Sequence, residues 1–557
     1  MTTARFLALV TTLLVVVTVQ ATAGADMEAT AVEQPMDISW FGPFGGEIED
    51  GNPVQAHIEE KFNVKLINTQ LWRRDREKYQ LLFASGEEPD AGYMYVTPRD
   101  YYLQGVFRSI PKEMIVEHVP SMAAWLDSMG PAAWMYGLVP GKEDEYMGLV
   151  RSYDYAGGVS YFPVFRLDWL EKIDMAPAEL IHAGAGISEG KTYWTKTPYT
   201  FAEFEKILYA FRNEDLDGNG VADTIPYATD STIGSRGLHM LLTMFGLNGV
   251  DNYDDGGTAV KMAVHPSLKE ALKAGQRWYR DGIIDSELPT VSKEQRDNKI
   301  ISGLAGAYTS APVYVASGAN PSGENWLPHP LYARDASAKA VMTPVPVGPD
   351  GTHTGYAKAG GTLPIDARQI MFMVSKRVDD AKLAKILDIV EYTNWDPEGR
   401  IYAYFGWPGV HFNWTGEPFK SPVTYTEEYG RGGTTGILYY PYMNFYRELH
   451  LMYVSPEQAP LQAYFGEGGE GGAIAVPSYR EDLFSETDYA TVWAEYAGAL
   501  DTIRDEFIWE AITGDLEIDA AWDSYREKWL QAGGNDVHAE MAKMPIVAEL
   551  RKGNVVY

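Results

Sequence analysis

Asp215-Leu216-Asp217-Gly218-Asn219-Gly220-Val221-Ala222-Asp223-Thr224-Ile225-Pro226 is an acidic, glycine-punctuated run in the first half of the chain. Its oxygen-bearing residues fall on alternate positions around a glycine, as in a calcium loop. With Asp215 as position 1, Asp217 is 3, Asn219 is 5, Gly220 is the turn at 6, the Val221 carbonyl is 7 and Asp223 is 9. Position 12 is Pro226, which has no carboxylate to bind the ion bidentately. A calcium sensor needs that last ligand; a static, structural calcium site does not. The expected ligands are Asp215, Asp217, Asn219, Asp223 and the Val221 carbonyl, with water or Thr224 completing the shell. The plainer reading is a solvated Asp/Asn/Gly turn without metal.

The flanks place the loop between a helix and a strand. Thr200-Phe201-Ala202-Glu203 has the form of a capping box, and Phe204, Ile207, Leu208 and Phe211 follow at helical spacing. After the loop, Thr224 to Ala228 reads as extended, and Pro226 stops a second helix from starting there. Helix, loop and strand are not an EF-hand pair.

Beside this loop stand Phe165-Arg166-Leu167-Asp168-Trp169-Leu170-Glu171-Lys172 and Thr197-Pro198-Tyr199-Thr200-Phe201-Ala202-Glu203-Phe204. Together they resemble the extracellular solute-binding proteins of family 1, and more narrowly the large branch that includes periplasmic alginate-oligosaccharide-binding proteins. Phe83 to Asp90 and Tyr404 to Phe412 are similar to that family as well, so the likeness runs through most of the chain. In the family the residue after position 9 is often an acidic ligand; here it is Thr224. The resemblance implies an α/β fold of two lobes, type II-like, each a sheet flanked by helices and crossed several times at the hinge. It implies an oligosaccharide ligand, an ABC importer permease as partner, and no catalysis.

Composition fits that expectation. Arg5 followed by an apolar run from Phe6 to Val19 and small residues at Ala21 to Ala25 reads as a signal peptide over 1–25. The run is shorter than the ~20 residues of a bilayer span, so an exported, periplasmic protein without a membrane anchor is expected, beginning at Gly24 or Asp26 after cleavage. There is no cysteine, which excludes disulfides, thiolate chemistry and a lipid anchor on cysteine. A formal charge of −31 excludes nucleic acid as a partner. A monomer is expected.

Strand, helix and strand patterns alternate from Asp37 to Val96, as in a doubly wound lobe. The expected first lobe comprises 26–155 and 306–375, and the second 156–305 and 376–557 with the calcium loop 215–224. Crossings are expected near 150–163, 300–312 and 365–376. Closing helices are expected at Trp522 to Leu530 and Met541 to Leu550.

Several motif matches lack their context. Gly186-Ile187-Ser188-Glu189-Gly190 matches a nucleophile elbow without the strand and helix it needs. Gly466 to Gly471 carries two glutamates where a pyrophosphate would sit. Asn413-Trp414-Thr415 is a formal glycosylation triplet. Pairs such as Glu427 with Glu428, or Asp501 with Asp505, are expected by chance among 77 acidic residues. A secreted polysaccharide-active hydrolase is the alternative function, and it requires two carboxyls facing each other across a cleft. A calcium-dependent adhesion module is a third reading and predicts no cleft.

The chain has 15 Trp and 36 Tyr, and sugar rings stack their C–H faces on such side chains. Four are singled out by position. Trp40 ends a strand, where open α/β sheets take ligands. Tyr308 lies near an expected crossing. Trp407 and Trp414 flank the stretch that resembles the family's late motif.

Overall fold

The computed structural model describes residues 34–43, 48–71, 75–94, 96, 98–152, 161–184, 188–233, 236–247, 251–317, 326–355, 365–366, 371–421, 423–430, 433–442, 452, 458–465, 471, 480 and 488–546. The expected signal peptide lies outside these residues, as do Gly186 and Ile187 of the elbow-like stretch and 466–470 of the Gly466 loop; Ser188, the residue at the centre of the elbow pattern, is fully buried. Among the described residues no helix is long and apolar enough to cross a membrane.

Two sheets organise the fold. The first has four strands in the order Met371–Val374, Ala91–Met94, Met36–Phe41, Val64–Asn68. Its last three are parallel, and Met371–Val374 runs antiparallel to them. The helix Pro53–Phe62 makes the first crossover. Asn52 caps it by accepting from the Gln55 amide at 2.9 Å, and Pro53 supplies a first-turn residue that needs no amide donor. Gly42 follows Met36–Phe41 because the chain there passes under Tyr439: a Cβ would fall 1.9 Å from the Tyr439 carbonyl oxygen.

The second sheet has six strands in the order Ile225–Tyr227, Ala305–Ser310, Phe162–Arg166, Ala340–Met342, Thr192–Trp194, Ile181–His182. Phe162–Arg166 is antiparallel to both of its neighbours. The expected helix is Phe201–Asn213, with the full Thr200/Glu203 capping box, and Phe204, Ile207, Leu208 and Phe211 are completely buried.

Each sheet has its own apolar core. The first core draws on residues from Ile38 to Val150 and from Ile365 to Met452, the second on Phe162 to Val345 and Leu461 to Tyr525. The change of core falls between Val150 and Phe162, Val345 and Ile365, and Met452 and Leu461. This differs from the expected division, which put 306–375 with the first lobe and 376–557 with the second. Ala305–Ser310 is buried on both faces and paired on both edges inside the six-stranded sheet. The helix Asp380–Asn394 buries Leu383, Ile386, Leu387 and Val390 in the first core.

A third, smaller core joins Ala259, Ala263 and Val264 to Leu500, Trp529, Val537 and Met541. The closing helices are Tyr489–Thr513, Ile518–Trp529 and Asn535–Met541. The helix expected to start at Met541 therefore ends there. Gly533, at φ +122, breaks the chain direction between Trp529 and Asn535, and periodicity alone cannot register that break.

Candidate functional site

The acidic loop leaves the helix Phe201–Asn213 and is pinned by Leu216, which is buried in the second core. Asp215 accepts through Oδ1 from the Asn219 amide at 3.0 Å and through Oδ2 from the Gly220 amide at 2.9 Å. Asn219 Nδ2 donates to Asp217 Oδ2 and to Asp223 Oδ1, both at 3.0 Å. The Val221 amide donates to Asn219 Oδ1 at 2.8 Å. Gly218 and Gly220 supply the left-handed turns, at φ +77 and +90. Asp215, Asp217, Asn219 and Asp223 are thus gathered at one exposed turn.

Thr224 is not. Its side chain is buried and its hydroxyl donates to the Phe211 carbonyl, tying the strand to the helix end. The expectation of Thr224 as an ion ligand is corrected on that ground. The donors that do converge are all oxygens, which suits a hard cation such as calcium. They are not closed around one: the Asn219 amide nitrogen, not its oxygen, faces Asp217 and Asp223. Among the described residues no group of three or more acidic or histidine side chains has metal-binding geometry.

The four aromatic candidates separate. Trp40 and Tyr308 are 1% and 2% exposed and belong to different cores. Trp40 packs against Phe372 and Tyr440, with ring centroids 5.2 and 6.5 Å away. Tyr308 lies in the middle of Ala305–Ser310, and burial holds its hydroxyl well above the usual phenol range. Neither ring has a face to offer a sugar here: Trp40 and the next residue, Phe41, are both buried at the end of their strand, and Ala305–Ser310 is buried throughout. Trp407 and Trp414 are each half-buried against the first core, among different neighbours. Trp407 stacks on Tyr402 at 5.2 Å and meets the His57 ring edge-on at 5.9 Å. Trp414 packs edge-on against Phe412 at 5.1 Å and against Phe419 at 5.6 Å.

Open α/β sheets take ligands beyond the carboxyl ends of their strands, and polar groups that aromatic counting overlooks gather there. At the end of the first sheet, Asn52 Nδ2 donates to the Tyr440 hydroxyl at 3.2 Å, and that hydroxyl donates to Asn68 Oδ1 at 3.0 Å. Asn68 Nδ2 in turn donates to Asp50 and Gln55, at 3.0 and 2.9 Å. At the end of Ile225–Tyr227, Asp230 accepts from the Thr232 hydroxyl at 2.5 Å and from its amide at 3.1 Å. Arg236 lies over the Tyr161 ring at 5.7 Å. The Asn52-Pro53 pair that opens the helix Pro53–Phe62 was the available signal for the first cluster. The second carries no local motif.

No protein-family profile matches the chain. The fructooligosaccharide ABC transporter substrate-binding protein FusA of Streptococcus pneumoniae is 27% identical over 246 residues, 42% of this chain and 41% of FusA. The match thus spans about two fifths of that relative's length. A human-milk-oligosaccharide (HMO)-binding, ABC-transporter-associated solute-binding protein of Bifidobacterium longum infantis superposes with a TM-score of 0.65 at 15% identity, covering 92% of this chain and 98% of that one. The fold is that of the two-lobed solute-binding proteins. The alginate-binding protein AlgQ2, solved without calcium ion, has the same architecture, with a TM-score of 0.60 at 17% identity over 92% of this chain and 98% of its own. These solute-binding proteins lend no support to the hydrolase alternative. Asp501 and Asp505, one of the carboxylate pairs, both engage Arg504, at 2.6 and 2.7 Å.

Proposed function

We propose that this protein is the oligosaccharide-binding component of an ABC importer, exported to the periplasm after loss of its leader. The observation that carries the reading is the pair of separately cored sheets, joined by three changes of core and furnished with polar side chains at their carboxyl ends. Asn52, Asn68, Asp50 and Asp230 have the hydroxyl-matching chemistry a sugar requires, and the half-buried Trp407 and Trp414 offer stacking surface. The likeness to FusA, a fructooligosaccharide-binding protein, and to the HMO-binding protein supports the same ligand class. The sugar binds one lobe, the second closes over it, and the closed monomer docks on the permease. No bond is made or broken.

The acidic loop is read as a structural calcium site held by Asp215, Asp217, Asn219, Asp223 and the Val221 carbonyl. Binding would turn the Asn219 amide so that its oxygen faces the ion. Affinity is expected in the ~10⁻⁴–10⁻³ M range of extracellular modules, because the bidentate twelfth-position ligand is missing. The likeness to AlgQ2, a protein whose structure has been solved without calcium ion, supports the reading.

A thermal-shift screen against an oligosaccharide library, followed by chromatography of the bound sugar, tests the function. At least one oligosaccharide is expected to raise the melting temperature saturably and to be recovered at its original length. Shortened products would instead establish the hydrolase.

A further inference from the structure

Arg99 lies on the short helix Pro98–Leu103, just beyond the carboxyl end of Ala91–Met94. That strand is an inner one, between Met371–Val374 and Met36–Phe41. The side chain is 9% exposed. Its Nη2 donates one long hydrogen bond, 3.4 Å, to the Thr491 hydroxyl, and its Nη1 is buried without a partner. Thr491 belongs to the helix Tyr489–Thr513, which packs in the other two cores. The guanidinium therefore sits between the four-stranded sheet and an element packed in the other cores.

Three other buried arginines are neutralised by carboxylates, while the buried Arg151 bonds the Tyr93 hydroxyl. Arg166 meets Asp168 at 2.6 Å, Arg296 meets Asp297 at 2.8 Å, and Arg480 is paired with Asp254 at 2.6 Å. No carboxylate pairs with Arg99 among the described residues. A guanidinium does not shed its proton to relieve burial, so a dry, unpaired one is costly unless an anion arrives. Its planar fork of donors matches two oxygens of a carboxylate.

Resting on the importer reading, we propose that Arg99 receives a carboxylate of the ligand, and that the ligand is an acidic oligosaccharide built with uronic acid residues. The formal charge of −31 gives an anion no long-range attraction, so preference for acidic over neutral sugar has to come from a local cation of this kind. A sulfate ester offers related oxygen chemistry in a tetrahedral form that fits the planar fork less well.

Isothermal titration of the full mature chain with uronic oligosaccharides, the same sugars after reduction of their carboxyls, sulfated oligosaccharides and neutral ones tests this. The acidic form is expected to bind about tenfold or more tightly than its carboxyl-reduced counterpart, as one charge-assisted pair would give. Arg99→Gln should abolish that difference, and Arg99→Lys should restore part of it. Without ligand, Arg99→Gln and Arg99→Met should melt at or above the temperature of the unaltered protein, since an unpaired buried charge has been removed. Lower melting of both variants would make Arg99 a structural residue and overturn the proposal. So would equal loss of acidic and reduced sugars in Arg99→Gln, binding of neutral sugars with rejection of acidic ones, or preference for sulfated over uronic sugars. Binding of no oligosaccharide at all would overturn the importer reading and this inference with it.

Discussion

Asp217 has two oxygens in a turn that also gathers Asp215, on the Asn219 and Gly220 backbone amides, and Asp223, on the Asn219 side chain. Removing it costs a few exposed hydrogen bonds but also lessens repulsion between like charges. In chelator, Asp217→Ala should therefore stay within ~0.5 kcal/mol of the unaltered protein. With calcium at 100 times its dissociation constant, the ion adds about 2.7 kcal/mol to the folded state, and the variant should forfeit most of it. Melting curves in calcium and in chelator decide the matter; coincident curves for the unaltered protein would eliminate the site. Trp407 and Trp40 form a second contrast. Trp407→Ala should cost roughly 1–3 kcal/mol of sugar affinity, by analogy with aromatic stacking on bases, and little stability. Trp40→Ala should lose roughly 3–5 kcal/mol of stability, the price of emptying a core site. Titration and urea unfolding of both variants separate the roles; unchanged affinity in Trp407→Ala removes that residue from the cleft.

At the scale of elements, His538 joins the helix Asn535–Met541 to the hairpin Asn252–Asp255/Thr258–Lys261 by accepting from the Lys261 amide at 3.0 Å. Burial, then the nearby Lys261 and Arg526 charges, push its pKa down to about 4. The folded ring stays neutral while the unfolded one takes a proton below its ordinary value near 6.5. Between those values the unfolded state binds more protons, so stability rises with pH and is lost as pH falls from 6.5 toward 4. The upper bound is about 3 kcal/mol. Urea unfolding at pH 7.5 and 5 should show a smaller drop for His538→Gln; an equal drop places the acid sensitivity elsewhere. The elements themselves were legible where their signals are local. The capping box, the apolar face of Phe201–Asn213 and the first three strands are all written within a few residues. Lobe assignment was not, because Ala305–Ser310 has the same buried pattern whichever sheet it joins, and only its ladder partners decide. Trp40 misled for a related reason: Trp40 and Phe41 are both buried, so the strand's end offers no free ring. Arg99 has no motif at all. Its isolation exists only once the chain is folded, where no carboxylate pairs with it among the described residues.

Across the whole molecule, the separation into cores with three changes between them makes relative motion of the halves the expected response to ligand. Each half has its own apolar core, so the proposed closure would not require either core to repack. A ligand can close the halves only by contacting both, since equal affinity for open and closed forms shifts nothing. Saturating oligosaccharide should therefore reduce the radius of gyration toward the ~24 Å of a compact chain of this size, as read by small-angle X-ray scattering. Arg99 provides an internal control, because its donor to Thr491 already reaches from the first core's sheet toward the helix Tyr489–Thr513. If the bound anion completes that bridge, Arg99→Gln at saturating sugar should contract less than the unaltered protein. A radius unchanged by ligand in the unaltered protein would refute hinge closure while leaving binding itself intact, and equal contraction in the variant would confine Arg99 to affinity.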